Sequence, residues 1–314
     1  MGSKLFELPE LKDLDLGLGK RTRLHHLLYK YGNKNGTLRF LPYDQGLEHG
    51  PVDFFPNPDS KDPEYIMKLA RDGDYSGVVL HIGLAKKYMR DYAGEVPLVL
   101  KVNGKTTVPS DAQAFSPMTG TVEEAASMGA DAVGYTLYLG TPAQDRDIAQ
   151  LNHVRYECDK YGMPLIVWSY PRGEAIEAKG GTTSLYAVDY AARAANELGA
   201  DIVKVNIPKK VKPEKLEAYT KAMSKDNDYK KYIELENATD EERMHRVVES
   251  AGKTMVLISG GSQASDEELL RRMEFIMKAG VTGIIFGRNM WQRPYDDAIS
   301  IGKKFKEMMS KYKR

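Results

Sequence analysis

The stretch Ala200-Asp201-Ile202-Val203-Lys204-Val205-Asn206-Ile207-Pro208 carries a lysine where an apolar residue belongs. It is short, β-branched and stopped by a proline, which predicts a strand. It follows Asn196-Glu197-Leu198-Gly199, a helix end with glycine at the cap. Helix, turn and strand together make half of a βαβ unit, whose strands are covered on both faces. A lysine inside such a strand is costly unless it is used or paired. Alternation places Lys204 on one face with Ile202 and Asn206. Desolvation lowers a lysine's pKa, so Lys204 can be a neutral amine, the nucleophile that forms a Schiff base with a carbonyl. The competing reading is a structural lysine paired to a carboxylate or reaching past the strand end. Leu100-Lys101-Val102-Asn103-Gly104 nearly repeats the pattern. Lys101 is therefore a rival for the same role, or the cation that keeps Lys204 deprotonated and binds an anionic substrate.

Other candidates stand where apolar runs give way to loops. Asp44 opens the glycine-rich segment Asp44-Gln45-Gly46-Leu47-Glu48-His49-Gly50-Pro51. A carboxylate there can pair with Lys204 and shuttle protons, or simply form an Asx turn. Trp168 and Tyr170, in Ile166-Val167-Trp168-Ser169-Tyr170-Pro171-Arg172-Gly173, share a face by period two. Tyr170 can exchange a proton, Trp168 can wall a ligand, and Arg172 can hold an anion; aromatic core filling is the alternative. Ser259-Gly260-Gly261-Ser262 and Gly287-Arg288-Asn289 supply glycines that let backbone N–H groups approach an anion. Two tight turns would look the same. Glu48, His49 and His81 do not have zinc-ligand spacing, so no metal is expected.

The elements that must position these residues alternate. Strands are predicted at Leu38–Tyr43, Gly77–His81, Pro97–Val102, Ala132–Leu139, Pro164–Tyr170, around Lys204, at Thr254–Ser259 and at Gly283–Phe286. Helices are predicted between them, including Pro63–Asp72, Ala143–Tyr161, Ser184–Leu198 and Asp266–Ala279, with a closing helix from about Tyr295. A Gly-Ala-Asp joint recurs at Gly129-Ala130-Asp131 and Gly199-Ala200-Asp201, a sign of repeated units. Eight strand–helix units predict one (β/α)8 TIM barrel, with a doubly wound sheet as the alternative. Candidate residues at strand ends then converge, and glycine loops after strands seven and eight occupy the usual phosphate position of such barrels. The expected organisation is a single domain over 1–314, with a helical N-terminal extension at 1–36. Residues 209–249 are expected to be a charged helical insert between strands six and seven, a lid, a subunit contact or a solvated surface.

Composition narrows the function class. Lys+Arg of 45 against Asp+Glu of 44 leaves a net charge of +1, which gives no support for a nucleic-acid partner. One cysteine, Cys158, excludes an internal disulfide and suits a reducing compartment. The opening MGSKLFELPE has no apolar signal region, and no run approaches a membrane span. The expectation is a cytoplasmic protein with no membrane partner.

Together these residues resemble the archaeal-type class I fructose-1,6-bisphosphate aldolase family, which also occurs in bacteria. The resemblance runs from about residue 38 to 295. It is carried by Asp44-Gln45-Gly46 with His49-Gly50, Trp168 to Gly173, Val203-Lys204-Val205, Ser259-Gly260-Gly261 and Phe286-Gly287-Arg288-Asn289. It implies a (β/α)8 barrel, a large homo-oligomer and no cofactor beyond a covalent Schiff base. It implies that Lys204, not Lys101, is the Schiff-base lysine, that Tyr170 is the acid–base group, and that Asp44 is the strand-one carboxylate. Glu214 is the implied second carboxylate, placed by spacing only. Ser259, Gly260, Gly261, Gly287 and Arg288 would hold substrate phosphate, with Trp168, Arg172, His49 and Lys101 also on the substrate. The implied activity is reversible cleavage of fructose 1,6-bisphosphate to dihydroxyacetone phosphate and glyceraldehyde 3-phosphate. The alternatives are a related transaldolase- or thiolase-type enzyme on another phosphorylated keto compound, and a non-catalytic sugar-phosphate-binding barrel.

Overall fold

A computed structural model of the chain describes residues 10–261 and 264–313. Eight parallel strands close on themselves in chain order: β1 Leu38–Pro42, β2 Gly77–His81, β3 Leu98–Lys101, β4 Ala132–Leu139, β5 Leu165–Pro171, β6 Ile202–Val205, β7 Met255–Ser259 and β8 Gly283–Ile285. This is the (β/α)8 barrel, and the doubly wound alternative falls. The strands are apolar throughout because both faces are covered; β4 is buried at all eight positions. The two faces belong to different cores. Phe40, Val79, Val99, Ile166, Ile202 and Leu257 fill the barrel interior. Leu41, Val78, Leu100, Val133, Val203 and Ile258 pack outward against the helices. Period two therefore sends Lys204 inward with Ile202, and Trp168 and Tyr170 inward with Ile166.

The N-terminal segment closes the bottom of the barrel. Helix Leu18–His25 runs on as a wider turn through Lys30, and Leu24, Leu27 and Leu28 join the interior core. The recurring Gly-Ala-Asp joints hold it there. Lys20 Nζ lies 2.9 Å from Asp201, His26 Nδ1 lies 3.1 Å from Asp131, and Arg23 donates to the Ala130 carbonyl. Residues 1–9 of the expected extension lie outside the described residues.

The helical insert is shorter than its composition suggested. Helix Asp240–Ala251 packs between Leu185–Glu197 and Asp266–Lys278 and buries Met244, Val247 and Val248. It is the barrel's own sixth ring helix, charged because its outer face meets water. The remainder, 209–238, forms helices Pro213–Met223 and Lys230–Glu234. These pack Val211, Tyr219 and Met223 on Tyr186, and the Tyr232 hydroxyl donates to Asp189 at 2.7 Å. Among the described residues no helix is long and apolar enough to cross a membrane.

Candidate active site

The C-terminal ends of the strands surround a cavity of about 200 Å³. Its floor follows from strand register. Lys204 pairs with Trp168 on β5 and Leu257 on β7, so lysine and indole share one level. The Lys204 ammonium lies 5.1 Å from the Trp168 ring centre and 5.6 Å from that of Tyr170. Only 6% of Lys204 is exposed. Burial pushes its pKa down to about 8; Asp44 and Glu48 pull the other way, and Arg288 assists the depression. This leaves a minority of neutral amine near neutral pH, far more than an ordinary lysine has, and that is the form a nucleophilic lysine requires.

The rival lysine is engaged elsewhere. Lys101 ends β3 and reaches Asp44 Oδ2 at 3.3 Å, with its ammonium 5.0 Å over the Trp168 ring. Burial lowers its pKa, and Asp44 and Glu48 oppose this. Lys101 is not among the residues lining the cavity, whereas Lys204 is. Gly134 makes this stack possible: a Cβ there would lie 2.6 Å from the Trp168 ring. The indole Nε1 is buried without a hydrogen-bond partner, a costly state for a donor.

Asp44 follows β1 and is 8% exposed. Burial opposes its ionisation, but Lys101, then Lys204 and His81, more than offset this and hold it below the usual carboxylate range. His81 is kept neutral: burial and Lys101 push its pKa down to about 4. The segment after Asp44 is not an open loop but a helical turn, Gln45–His49. One turn separates Asp44 from Glu48, so both lie over the same face, and both line the cavity. His49 Nδ1 lies 2.7 Å from Asp53, and the same carboxylate stands 3.8 Å from Arg288. Asp53 thus ties the β1 loop to the β8 loop.

Tyr170 meets the cavity above Trp168. Burial, then Glu48 and Asp44, push its phenol far above the ordinary range, with Arg172 and Arg288 opposing. The Arg172 guanidinium sits 5.4 Å over its ring. On the opposite side Ser259 donates to Asn206 at 2.7 Å, and Asn289 donates to the Gly260 carbonyl at 3.2 Å. These bonds brace the glycine loops. Gly287 must be glycine, since a Cβ would fall 2.6 Å from Gln45 Nε2 and 3.0 Å from the Pro42 carbonyl. Ser259, Gly260, Gly261, Gly287 and Arg288 all line the cavity; Ser262 lies outside the described residues.

The structure does not bring Glu214 to this cavity. It is exposed in the first turn of helix Pro213–Met223. Pro208 ends the strand register, and the chain then leads to a helix packed on Tyr186. Spacing from Lys204 carried no direction once the strand had ended. Sequence reasoning assigned no role to Asn206, Gln45 and Asn289 and did not reach Thr136 or Asp53; all but Asp53 line the cavity. Of these, Asn206 had a signal in its two-residue offset from Lys204. Among the described residues no group of three or more His, Cys, Asp or Glu side chains can hold a metal ion.

The chain matches the model of DeoC/LacD family aldolases over residues 39–293. It is 40% identical over 277 residues to the class 1 fructose-bisphosphate aldolase of Thermoproteus tenax, covering 88% of this chain and 90% of that protein. To the class 1 fructose-bisphosphate aldolase of Halobacterium salinarum it is 34% identical over 270 residues, 86% of this chain and 90% of the other. Among solved structures, an archaeal fructose-1,6-bisphosphate aldolase with its catalytic lysine bound to the carbinolamine intermediate of its substrate has a TM-score of 0.75. It is 38% identical and covers 91% of this chain and 99% of that one. With a family match that spans the barrel from β1 to beyond β8, the chain belongs to the DeoC/LacD aldolases.

Proposed function

We infer that this chain is a class I fructose-bisphosphate aldolase, reversibly cleaving fructose 1,6-bisphosphate through a Schiff base on Lys204. The observation that carries the reading is a lysine buried at the end of β6, facing a cavity between two glycine loops, with its pKa pushed down to about 8. A buried amine with so low a pKa serves carbonyl chemistry, and the loops after β7 and β8 suit a phosphate.

In this reading neutral Lys204 attacks the ketone of the open-chain sugar and loses water to give an iminium ion. The iminium is the electron sink when the C3–C4 bond breaks, so the reaction needs no other cofactor. Tyr170 exchanges the proton of the C4 hydroxyl. Its phenol resists ionisation in the free site, and the iminium at Lys204, a cation that unlike the ammonium holds its charge without a titrating proton, stands 5.6 Å from the ring centre and lowers that resistance. In synthesis the protonated phenol returns the proton to the aldehyde oxygen. Asp44, held ionised by Lys101, supplies negative charge beside the iminium. Ser259, Gly260, Gly261, Gly287 and Arg288 anchor one phosphate. Arg172, beyond β5, faces the second, with His49 on the β1–β8 side of the mouth, and the two anchors position C3–C4 over the amine.

Assembly as a homo-oligomer is part of the proposal, supported by exposed Val52, Phe55 and Val108 and read from the mass in solution. A cytoplasmic location is supported by the buried free thiol of Cys158 and is tested by fractionation. The central test is incubation with fructose 1,6-bisphosphate and borohydride, then peptide mass mapping. Label on Lys204 is expected. Label on Lys101 would move the chemistry to β3, and no label would reduce the protein to a sugar-phosphate binder.

A further inference from the structure

We propose that a second cavity, behind the loop after β7, binds a nucleotide and thereby weakens the hold of the first cavity on substrate phosphate. The binding stands apart from the aldolase reading; its effect on substrate rests on that reading. The second cavity measures about 370 Å³, larger than the one that holds Lys204 and of a size that takes small-molecule ligands. Pro208 ends the strand register after β6, and the Lys209 N–H donates to the Thr183 carbonyl at 2.7 Å, which fixes the turn there. Helix Asp240–Ala251 then packs beside Asp266–Lys278. The upper parts of these two helices and the loops after β6 and β7 enclose the space.

The lining is cationic. Lys209, Lys210, Arg243, Arg271 and Arg272 stand against Asp240 and Glu268. That surplus of three positive charges belongs to a chain whose whole net charge is +1. Glu268 serves two guanidiniums at once, lying 2.7 Å from both Arg271 and Arg272. Among the described residues neither Lys209 nor Lys210 forms an ion pair or a side-chain hydrogen bond. Arg243 is the deepest of the five, 1% exposed. Its Nη1 donates to the Ala238 carbonyl at 2.8 Å and its Nη2 to Asp240, but its buried Nε has no acceptor. A buried donor without a partner is costly, and negative charge in the cavity offsets part of that cost. Ile207, Pro208 and Phe275 add an apolar wall. Cations and an aromatic ring in one cavity suit phosphate groups carried on a flat apolar base, the chemistry of a nucleotide.

The two cavities share a wall. Asn206, Ser259, Gly260 and Gly261 line both. The β7 loop is therefore a partition, with the substrate phosphate before it and the nucleotide phosphates behind it. Like charges on two sides of one loop repel. Each residue of the loop also has a single backbone N–H, so a donor turned to one anion is lost to the other. Both effects act on affinity, and neither touches Lys204 or the bonds that change. Each ligand then weakens the other by the same factor.

The test uses the full chain, with ADP as the probe. Calorimetric titration is expected to show ADP binding that the double variant Lys209→Ala, Lys210→Ala weakens by roughly tenfold or more, the weight of charge-assisted contacts at a wetted site. Without ADP the double variant should keep the wild-type kcat and KM. In cleavage assays ADP is expected to raise the wild-type KM for fructose 1,6-bisphosphate to a plateau while kcat holds. Binding in the active-site cavity itself would instead raise KM without limit, and equally in the double variant; that outcome overturns the proposal. So does a wild-type protein that binds no ADP, or a double variant that binds it as tightly. Inorganic pyrophosphate binding as tightly as ADP would show that the cations act alone and would strike the nucleotide from the assignment. If the wild-type protein cleaves no substrate, the aldolase reading fails, and calorimetry still decides the second cavity.

Discussion

Tyr170 and Lys204 divide the proposed reaction between two side chains on adjacent strands, and the division is measurable. Tyr170→Phe keeps the ring that packs above Trp168 and removes only the hydroxyl. Borohydride trapping should remain complete while cleavage falls by roughly 10²–10⁴-fold; near-normal cleavage would sink the assignment. The lysine pair makes a second prediction. In the free site the neutral amine of Lys204 accumulates as pH rises through about 8, so imine formation should climb through that range and level off above it. Replacing Lys101 by Met leaves the Asp44 charge without its partner at 3.3 Å. That charge then favours the Lys204 ammonium more strongly, so the midpoint of the profile should move upward and the rate at neutral pH should fall. A profile that stays put, or moves down, would show that Lys101 does not set the state of the nucleophile. Lys204 was legible in the sequence because a charge interrupts a β-branched run, and burial makes that interruption costly. Glu48 was not legible as a residue of the cavity. Gly46, Gly50 and Pro51 signalled a loop, and only the helical turn at Gln45–His49 aligns Glu48 with Asp44.

At the level of elements, the strands were readable because both faces of a parallel barrel exclude water, which forces the same apolar spelling eight times. The helices betray themselves by caps, as where Ser184 accepts from the Ala187 N–H ahead of Leu185–Glu197. What the spelling does not encode is which surface an amphipathic segment covers. Leucines at 24, 27 and 28 announce a buried helix face, but not that it seals the barrel floor. Likewise the charged outer face of Asp240–Ala251 resembles the insert before it, and only packing separates them. The floor offers a prediction. Leu27 is fully buried in the interior core. Leu27→Ala should cost about 2–5 kcal/mol of stability, seen as a lower urea midpoint. Activity per folded molecule should be nearly unchanged, because the proposed chemistry lies at the other end of the strands. A large loss of turnover with unchanged stability would mean that the floor and the site are coupled.

Over the whole molecule, the barrel keeps two ends with separate tasks. Asp131 and Asp201 at the lower joints hold the N-terminal helix, while Lys204 and Tyr170 stand where their strands end above. Such a plan can host metal-dependent or metal-free carbon–carbon cleavage, and the donor set decides between them. A Lewis acid for a ketone needs three or more ligands converging on one point. Near the mouth His49 is turned to Asp53 at 2.7 Å, and His81 is half-buried, neutral and 3.4 Å from the Thr119 hydroxyl. Asp44 is engaged by Lys101. In the proposed reaction the electron demand therefore falls on the iminium at Lys204. Cleavage of fructose 1,6-bisphosphate should survive prolonged dialysis against EDTA with kcat and KM unchanged, and borohydride with substrate should abolish it irreversibly. Loss of activity with EDTA, restored by zinc, together with indifference to borohydride, would reverse the assignment and make Lys204 a structural cation.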